Sequence, residues 1–295
     1  MDDRLRRAIE RAVGADASVH WQHVGATGWG DAWRLSVAGQ RYFAKIAAVE
    51  RAAMLDAEAD GLRAIADTGT IRAPALVAVG TQGAYGYVVV EWLDLSAQTN
   101  DAALGVALAR MHRAVPPAGP RGERFGWHRD NFIGATPQLN AWSDDWCTFF
   151  VERRLAPQLA LAASNGFAGE LQRGGERVLR RLSALLQRHD VTPALVHGDL
   201  WSGNAATLSD GTPIVFDPAV YVGDREVDLA MTELFGGLGA SFARTYAERW
   251  PLDDGYPLRR TVYNLYHLLN HLNLFGATYL ARVERSIAEI LAAAR

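Results

Sequence analysis

The decisive stretch of the sequence reads His197-Gly198-Asp199-Leu200-Trp201-Ser202-Gly203-Asn204, and after a turn at Gly211 it continues Pro213-Ile214-Val215-Phe216-Asp217. The octet has the form H-x-D-x-x-x-x-N, and the second stretch is an apolar strand that ends in a carboxylate. This spacing is typical of phosphoryl-transfer enzymes. Asp199, Asn204 or Asp217 alone would be an ordinary turn or strand-end residue. The prediction therefore depends on finding all three at this spacing.

The three polar side chains of this region predict distinct roles in phosphoryl transfer. Asp199 would accept or orient the proton of a substrate hydroxyl, as the loop carboxylate does in kinases. Asn204 and Asp217 supply the hard oxygen ligands that Mg²⁺ prefers, and the ion bridges the phosphates of a nucleotide. The sequence thus predicts Asp199 as the catalytic residue and Asn204 and Asp217 as the metal ligands.

A second pair of charged residues is predicted in the first third of the chain. Lys45 interrupts an apolar strand, residues 42–46, where a hydrophobic side chain would be expected. Glu58 lies in a helix and falls on the same face as the apolar residues Leu55 and Leu62. Opposite charges on two apolar faces are most readily satisfied by pairing. In kinases such a pair aims the lysine at the α- and β-phosphates, whereas a snorkelling lysine and a solvated glutamate are the alternative.

The first lobe of the protein is predicted to be rich in strands. Residues 33–37 and 42–46 alternate as the two strands of a hairpin around Gly39. Residues 86–92 have the pattern of a buried strand, and a helix is predicted between the hairpin and this strand at residues 53–66.

The second lobe is predicted to be mostly helical and to begin near residue 94. Helical patterns cover residues 101–111, 142–163, 175–189, 228–235, 240–250 and 258–294, and the one strand-like region covers residues 195–216. The sequence therefore predicts an α+β fold with a nucleotide-binding N-terminal lobe over residues 1–93 and a catalytic and substrate-binding C-terminal lobe over residues 94–295.

Composition argues against several classes of protein. The 295 residues are 49% hydrophobic and 21% charged, which suits a globular chain rather than a disordered one. The net charge of −3 provides no positive electrostatic field that would attract a polyanion, so nucleic acid is not expected as a partner. Cys147 is the sole cysteine, which excludes an internal disulfide. The sequence has no apolar run of bilayer-spanning length and no signal-peptide pattern, so we expect a cytoplasmic protein without a membrane partner.

A glycine-rich segment, Gly25-Ala26-Thr27-Gly28-Trp29-Gly30, precedes the hairpin. It lacks the final Gly-Lys-Ser/Thr of a Walker A loop and the third glycine of a dinucleotide fingerprint. As a turn between the first two strands it could still cover phosphates with backbone N–H groups. A plain hairpin turn without a ligand is the alternative interpretation.

Two histidines stand out near the C-terminus. His267 and His271 share a helical face with Tyr263 and Asn270 because their spacings are three and four residues. Histidines at i and i+4 can bind a metal, but no glutamate follows His267 as it would in a zincin. Histidines that are hydrogen-bonded within the helix, or that line a substrate cleft, fit this pattern better.

Taken together, these motifs resemble the fructosamine kinase family, which includes fructosamine-3-kinases and ketosamine-3-kinases. That family is a branch of the protein-kinase-like fold that also includes aminoglycoside phosphotransferases and choline kinases. The resemblance covers about residues 20 to 290. Its most specific parts are the octet at residues 197–204 and the triplet Asp217-Pro218-Ala219, and further matches lie at residues 125–134, 136–140, 154–158, 223–231 and 266–271.

The resemblance implies ATP-dependent phosphorylation of the sugar 3-hydroxyl of a ketosamine, an early glycation product on an amine. The implied role is repair by deglycation, with small ketosamines or glycated proteins as acceptors and ATP and Mg²⁺ as cofactors. Carried onto this sequence, Asp199 is the base, Asn204 and Asp217 hold magnesium, and Lys45 binds phosphate while paired with Glu58. The resemblance further implies an adenine-binding hinge at Glu91, Trp92 and Leu93 and a sugar contact from Trp201, for which a satisfied core tryptophan is the alternative. From the residues themselves, Gly25 and Gly28 are candidates for covering phosphates, and His267 and His271 are candidates for lining a substrate cleft.

The sequence also departs from the family pattern. Gly25-Ala26-Thr27 stands where the family commonly has three glycines, sometimes with a cysteine, so a redox-linked dimer through this loop is not expected. Asp217-Pro218-Ala219 differs from the D-F-G of protein kinases, so no activation-loop switch is predicted. A kinase for aminoglycosides or choline and a nucleotide-binding pseudokinase are the alternative functions, and the oligomeric state stays open.

Overall fold

The computed structural model describes residues 2–15, 18–27, 30–186 and 189–293. The first part of the chain folds into a five-stranded antiparallel sheet in the order β1-β2-β3-β5-β4. Its strands are β1 (His20–Thr27), β2 (Gly30–Val37), β3 (Gln40–Ala48), β4 (Leu76–Gln82) and β5 (Tyr85–Glu91). Helix α1 (Asp3–Ala12) precedes the sheet, and a 3₁₀ turn (Val49–Arg51) leads from β3 into helix α2 (Ala52–Asp67).

The alternation of side chains along β3 decides which residue faces the rest of the molecule. Ala44 and Ile46 are buried in a small core that also contains Leu5 and Ile9 of α1. Because neighbouring residues of a strand point to opposite faces, Lys45 lies on the other face of the sheet, toward α2. The predicted hairpin is confirmed by the pairing of β2 with β3.

The second part of the chain is mostly helical. Its helices are α3 (Asp101–Arg113), α4 (Trp146–Phe150), α5 (Ala156–Ser164), α6 (Glu170–Leu186), α7 (Glu226–Leu234), α8 (Ala240–Arg249), α9 (Tyr256–Phe275) and α10 (Leu280–Ala293). A π-helical stretch (Val151–Leu155) joins α4 to α5, and a 3₁₀ turn (Ala277–Tyr279) precedes α10. Three antiparallel strand pairs complete this part: β6 (Asn131–Ile133) with β7 (Thr136–Gln138), β8 (Pro193–Val196) with β11 (Tyr221–Asp224), and β9 (Ala205–Thr207) with β10 (Pro213–Val215).

Three sequence predictions about these elements are wrong. The helix predicted over residues 258–294 is two helices, because Gly276 has a φ of 82° that ends α9. The helix predicted from residue 142 begins only at Trp146, since the Asp145 side chain caps it by accepting the Thr148 N–H. Strands β6, β7 and β11 lie outside the single strand region predicted at residues 195–216.

One large apolar core connects the two parts of the molecule. It includes Leu55 and Leu62 of α2 and Val88 and Val90 of β5, and it continues through the helices of the second part. The segment that follows residue 93 is hydrogen-bonded to the second part of the molecule, because the Ser96 N–H donates to the Thr207 carbonyl oxygen at 2.7 Å. The lobe boundary itself stays a prediction. Within the described ranges, no helix has both the length and the apolar character to span a membrane.

Candidate active site

The octet forms a tight loop directly after β8. Gly198 has a φ of 82°, and a Cβ at this position would lie 2.1 Å from the Ala219 carbonyl oxygen. Only glycine fits both the left-handed backbone and this close approach. The Ala219 N–H in turn donates to the His197 carbonyl oxygen at 2.8 Å. The loop and the segment after Asp217 are therefore joined backbone to backbone.

Asp228 of α7 anchors this loop through its carboxylate. Its carboxylate accepts the His197 N–H at 2.7 Å and the Gly198 N–H at 2.9 Å, and it also lies 3.0 Å from His112 Nε2. Burial alone would raise the pKa of Asp228, but these hydrogen bonds and the neighbouring histidines lower it overall. Asp228 thus holds the loop as a buried carboxylate. No role was predicted for it, because a lone aspartate in a helix gives no sequence signal beyond the resemblance.

The His197 ring links the octet to the end of β10. His197 Nε2 lies 3.0 Å from the Phe216 carbonyl oxygen, and Nδ1 lies 3.3 Å from the Asp199 amide nitrogen. A carbonyl oxygen can only accept, so Nε2 carries the hydrogen and Nδ1 accepts from the Asp199 N–H. Burial lowers the pKa of His197, which keeps the ring neutral in this arrangement.

Asp199 and Asn204 meet across the loop. Asn204 Nδ2 donates to the Asp199 carbonyl oxygen at 2.9 Å and to its carboxylate Oδ2 at 3.2 Å. These bonds fix the amide, so its oxygen is the atom left for another partner. Burial and the charge of Asp217 raise the pKa of Asp199 to about 7, against the opposing hydrogen bond from Asn204. A carboxyl that titrates near neutrality is suited to exchange a proton with a substrate.

Lys45 joins the two parts of the molecule at this site. Lys45 Nζ lies 2.8 Å from Glu58 Oε1 and 2.5 Å from Asp217 Oδ1. Burial favours the neutral amine, but the two carboxylates outweigh it and raise the pKa of Lys45. Asp217 has a φ of 56°, an uncommon conformation for a residue other than glycine and one that often marks a functional site. The pairing of Lys45 with Glu58 is therefore present as the spacing predicts.

Helix α2 rests directly on the segment that carries Asp217. A Cβ at Gly61 would lie 2.9 Å from Pro218 Cγ, so the lack of a side chain lets the helix pack this closely against the proline ring. Glu58 lies one turn earlier on the same helix. The contact at Pro218 thus helps to hold Glu58 at Lys45.

Two cavities open on either side of this charged group. One, of about 290 Å³, is lined by Phe43, Val90, Glu91, Trp92, Leu93 and Phe216 among others. The other, of about 220 Å³, is lined by Asp199, Asn204, Trp201, Phe132 and neighbouring residues. Lys45, Glu58 and Asp217 line both. The structure therefore brings together one largely apolar cavity and one polar cavity around a single ion-pair cluster.

The predicted hinge residues lie in the apolar cavity. Trp92 and Leu93 contribute to its lining, as does Glu91. The carboxylate of Glu91 is already bound, because it accepts the Ala75 N–H at 2.6 Å and pairs with Arg72. Any contact of Glu91 with adenine would therefore come from its backbone.

The oxygen donors in the polar cavity fit a magnesium ion. Asp217 keeps 48% of its side chain exposed although one of its oxygens pairs with Lys45. The Asn204 side chain and the Asp199 carboxylate lie in the same cavity. Carboxylate and amide oxygens without any nitrogen or sulfur ligand suit Mg²⁺ rather than zinc.

Other predicted residues lie outside both cavities. Gly25 belongs to β1, where it pairs with Ala32 beside a bulge, so the prediction of a non-strand loop at this position is wrong. Gly28 lies outside the described residues. His267 is 3% exposed, and His271 Nδ1 donates to the His267 carbonyl oxygen at 2.8 Å. The substrate roles of both histidines stay predictions that the lining of the two cavities does not support.

A second group of ligand-type side chains lies far from the cavities. His189, Asp224 and Glu226 come close enough to share a metal ion. The Glu226 carboxylate is already held by Arg259 Nε at 2.6 Å, and Asp224 accepts the Tyr263 hydroxyl at 2.6 Å. These side chains satisfy one another, which explains the cluster as a structural network.

Comparison with known proteins agrees with this geometry. The fructosamine kinase family model matches residues 1–293. A Synechocystis protein named "probable ketoamine kinase" is 46% identical over 254 residues, which cover 85% of this chain and 83% of that protein. The chloroplastic protein-ribulosamine 3-kinase of Arabidopsis thaliana is 41% identical over 229 residues, which cover 77% and 69% of the two chains.

Solved structures give the same result for the fold. A crystal structure of a candidate fructosamine-3-kinase from Haemophilus somnus matches with a TM-score of 0.86 and 27% identity, and covers 98% of this chain and 97% of that one. A thermostable mutant of the aminoglycoside phosphotransferase APH(4)-Ia matches with a TM-score of 0.65 at 14% identity, over 97% of this chain and 98% of that one, and shares the fold alone. The predicted protein-kinase-like α+β fold is confirmed. The chain belongs to the fructosamine kinase family.

Proposed function

We propose that the protein transfers the γ-phosphoryl group of ATP to the sugar 3-hydroxyl of a ketosamine, with ribulosamines and fructosamines as the acceptor class. The convergence of Lys45, Glu58 and Asp217 on both cavities carries this proposal. Family membership supports phosphoryl transfer from ATP, and relatives named ketoamine kinase and protein-ribulosamine 3-kinase support the acceptor class.

The nucleotide is assigned to the apolar cavity of about 290 Å³. Phe43, Val90 and Phe216 offer apolar surface for a base, and the strand end at Trp92 and Leu93 offers backbone groups at its edge. Lys45 stands where this cavity meets the polar one, so its ammonium can bind phosphate oxygens. Glu58 keeps the ammonium charged and oriented.

Asn204 and Asp217 are assigned to magnesium. A magnesium ion held by their oxygens would neutralise charge on the phosphates and orient them. Asp217 can serve Lys45 and a metal together because a carboxylate has two oxygens, and its side chain is 48% exposed.

Asp199 is assigned as the base that receives the proton of the acceptor hydroxyl. As that oxygen bonds to the γ-phosphorus, the bond from phosphorus to the β,γ-bridging oxygen breaks, and the hydroxyl proton moves to the Asp199 carboxylate. Asn204 holds this carboxylate in place through its Nδ2 hydrogen bond. Trp201, which is 38% exposed, provides an aromatic surface against which C–H groups of a sugar can pack.

A phosphate-transfer assay tests the proposed function. Purified protein with ATP and Mg²⁺ is offered ribuloselysine, fructoselysine, the corresponding free sugars and an aminoglycoside panel, and phosphorylated products are identified by ³¹P NMR and mass spectrometry. We expect phosphorylation of the ketosamines at the 3-hydroxyl. Preference for an aminoglycoside, or nucleotide binding without transfer to any acceptor, would contradict the proposed function.

The localisation is proposed separately. Because ATP is the phosphoryl donor, we propose that the protein acts in the cytoplasm.

A further inference from the structure

The hairpin of β6 and β7 forms one wall of the polar cavity. Phe132 and Gly134 of this hairpin line the cavity together with Asp199 and Trp201. At the hairpin tip, Gly134 packs close to the side chain of Leu274 in α9. The functional assignments above leave this hairpin without a role.

A buried network of amides holds the hairpin in position. Asn131 Nδ2 donates to the Val220 carbonyl oxygen at 2.7 Å, and Gln138 Nε2 donates to Asn131 Oδ1 at 2.8 Å and to the Ala219 carbonyl oxygen at 3.1 Å. Asn131 and Gln138 are 4% and 1% exposed. The hairpin is therefore fixed to the backbone that directly follows Asp217 and Pro218.

An arginine at the base of the hairpin completes this network. Arg154, in the π-helical stretch, is fully buried and donates from NH2 to Asn140 Oδ1 at 2.7 Å. Its guanidinium carbon lies 4.0 Å from the centroid of the Tyr221 ring. Asn140 Nδ2 then donates to Asn131 Oδ1 at 2.9 Å. Burying a guanidinium and three amides is costly, and these hydrogen bonds offset much of the cost, although Arg154 Nε is buried without a hydrogen-bond partner. In return the network favours one arrangement of the hairpin.

Phe132 is the side chain that this arrangement presents to the cavity. Its neighbours Asn131 and Ile133 are buried; Asn131 also borders the cavity, but its side chain is bonded into the amide network. Phe132 is only partly buried and reaches the cavity. With Trp201 it supplies the aromatic part of a lining whose other members are mostly polar or small.

We propose that Phe132 is a specificity-determining residue, whose rigidly held ring contacts the sugar of the acceptor and limits its size. This inference rests on the proposed function, since it concerns the acceptor of the same reaction. Phe132 and Asp199 line the same cavity of about 220 Å³, so the ring lies close to a sugar whose hydroxyl reaches Asp199. The ring of Phe132 would then discriminate against a sugar with one additional carbon.

Steady-state kinetics of Phe132→Ala with ribuloselysine and fructoselysine tests this role. We expect the ratio of kcat/KM for fructoselysine over ribuloselysine to rise by about tenfold, because one carbon that contacts an apolar side chain changes selectivity by about this much. KM for ATP should stay within about twofold, since the ring does not line the apolar cavity. Pro137→Ala is the matched control, because Pro137 pairs with Phe132 across the hairpin and lies outside the lining.

Each result has a distinct meaning. An active Phe132→Ala enzyme with an unchanged selectivity ratio, or a change equalled by Pro137→Ala, overturns the inference while the proposed function stands. A wild-type enzyme that phosphorylates no ketosamine overturns the proposed function and the inference together. Should Phe132→Ala fail to fold, as judged by circular dichroism, Phe132→Leu is measured in its place, and an unchanged ratio there also overturns the inference.

Discussion

Lys45 Nζ lies 2.5 Å from Asp217 Oδ1, although 172 residues separate the two along the chain. This contact joins β3 of the sheet to the segment that follows β10 in the helical part. Because Glu58 binds the same ammonium at 2.8 Å, three charges from two parts of the molecule form one cluster. The cluster stands where the two cavities meet, and several predictions depend on it.

Replacing Lys45 tests its assignment to phosphate. Lys45→Met should raise KM for ATP and lower kcat/KM by about 10²–10³, as expected for the loss of a preorganised charge. Glu58→Gln should have a smaller effect, because Asp217 still pairs with the ammonium. Arg41→Met is the control, since Arg41 lies on the same strand with its side chain 42% exposed. Equal kinetics for Lys45→Met and Arg41→Met would contradict the assignment.

Asp199→Asn should separate chemistry from binding. The amide cannot take the hydroxyl proton, so we expect kcat to fall by about 10²–10⁴. Nucleotide affinity, measured by calorimetry, should change by no more than about twofold, because Asp199 lies in the polar cavity only. Wild-type turnover in this variant would remove Asp199 from its proposed role.

The same variant should also change the pH dependence of stability. The folded-state pKa of Asp199 is raised to about 7 from 3.8. Between these values the unfolded chain releases a proton that the folded protein retains, so the wild type loses stability as pH rises. Asp199→Asn has no such loss. Its free energy of unfolding relative to the wild type should rise by roughly 2–3 kcal/mol from pH 5 to pH 8.

Thermal or urea unfolding without nucleotide and with a chelator measures this difference at the two pH values. An advantage that is constant with pH, or that shrinks toward pH 8, would show that Asp199 titrates normally in the folded protein. Asp210→Asn is the control, because Asp210 lies in the exposed turn before β10 and hydrogen bonds from Thr212 lower its pKa, so it stays ionised from pH 5 to pH 8.

Asp217→Asn should weaken the response to magnesium. Even partners one shell removed from a metal contribute about tenfold or more to its affinity, so we expect the magnesium concentration for half-maximal activity to rise by at least about tenfold. Removing magnesium with a chelator should abolish wild-type transfer, and adding the ion back should restore it. Activity of Asp217→Asn at wild-type magnesium concentrations would contradict the metal assignment.

Sequence reasoning was most successful where one local pattern carries the information. The alternation around Lys45 predicts both its strand and its face, and the helical position of Glu58 predicts their 2.8 Å contact. The octet predicts that Asp199 and Asn204 lie in one loop, where they are hydrogen-bonded. Periodicity misses the break at Gly276, because the apolar pattern of α9 continues into α10.

Contacts between distant segments could not be predicted in the same way. Asp228 binds the N–H groups of His197 and Gly198 from 31 and 30 residues away. The β6–β7 hairpin reaches the polar cavity because Asn131 and Gln138 bind backbone after Asp217, which no local pattern indicates. His267 and His271 have a suitable helical spacing, but spacing alone does not say which cavity a helix face borders.

The absence of a side chain at Gly61 limits how helix α2 can move relative to Pro218. With α2 packed directly on Pro218, a shift of the helix alone would disturb its contact with the segment that carries Asp217. The Lys45 ammonium is therefore held in position by Glu58 before nucleotide binds. We expect Glu58 to stay at Lys45 when nucleotide binds or leaves, so that α2 has one position in both states.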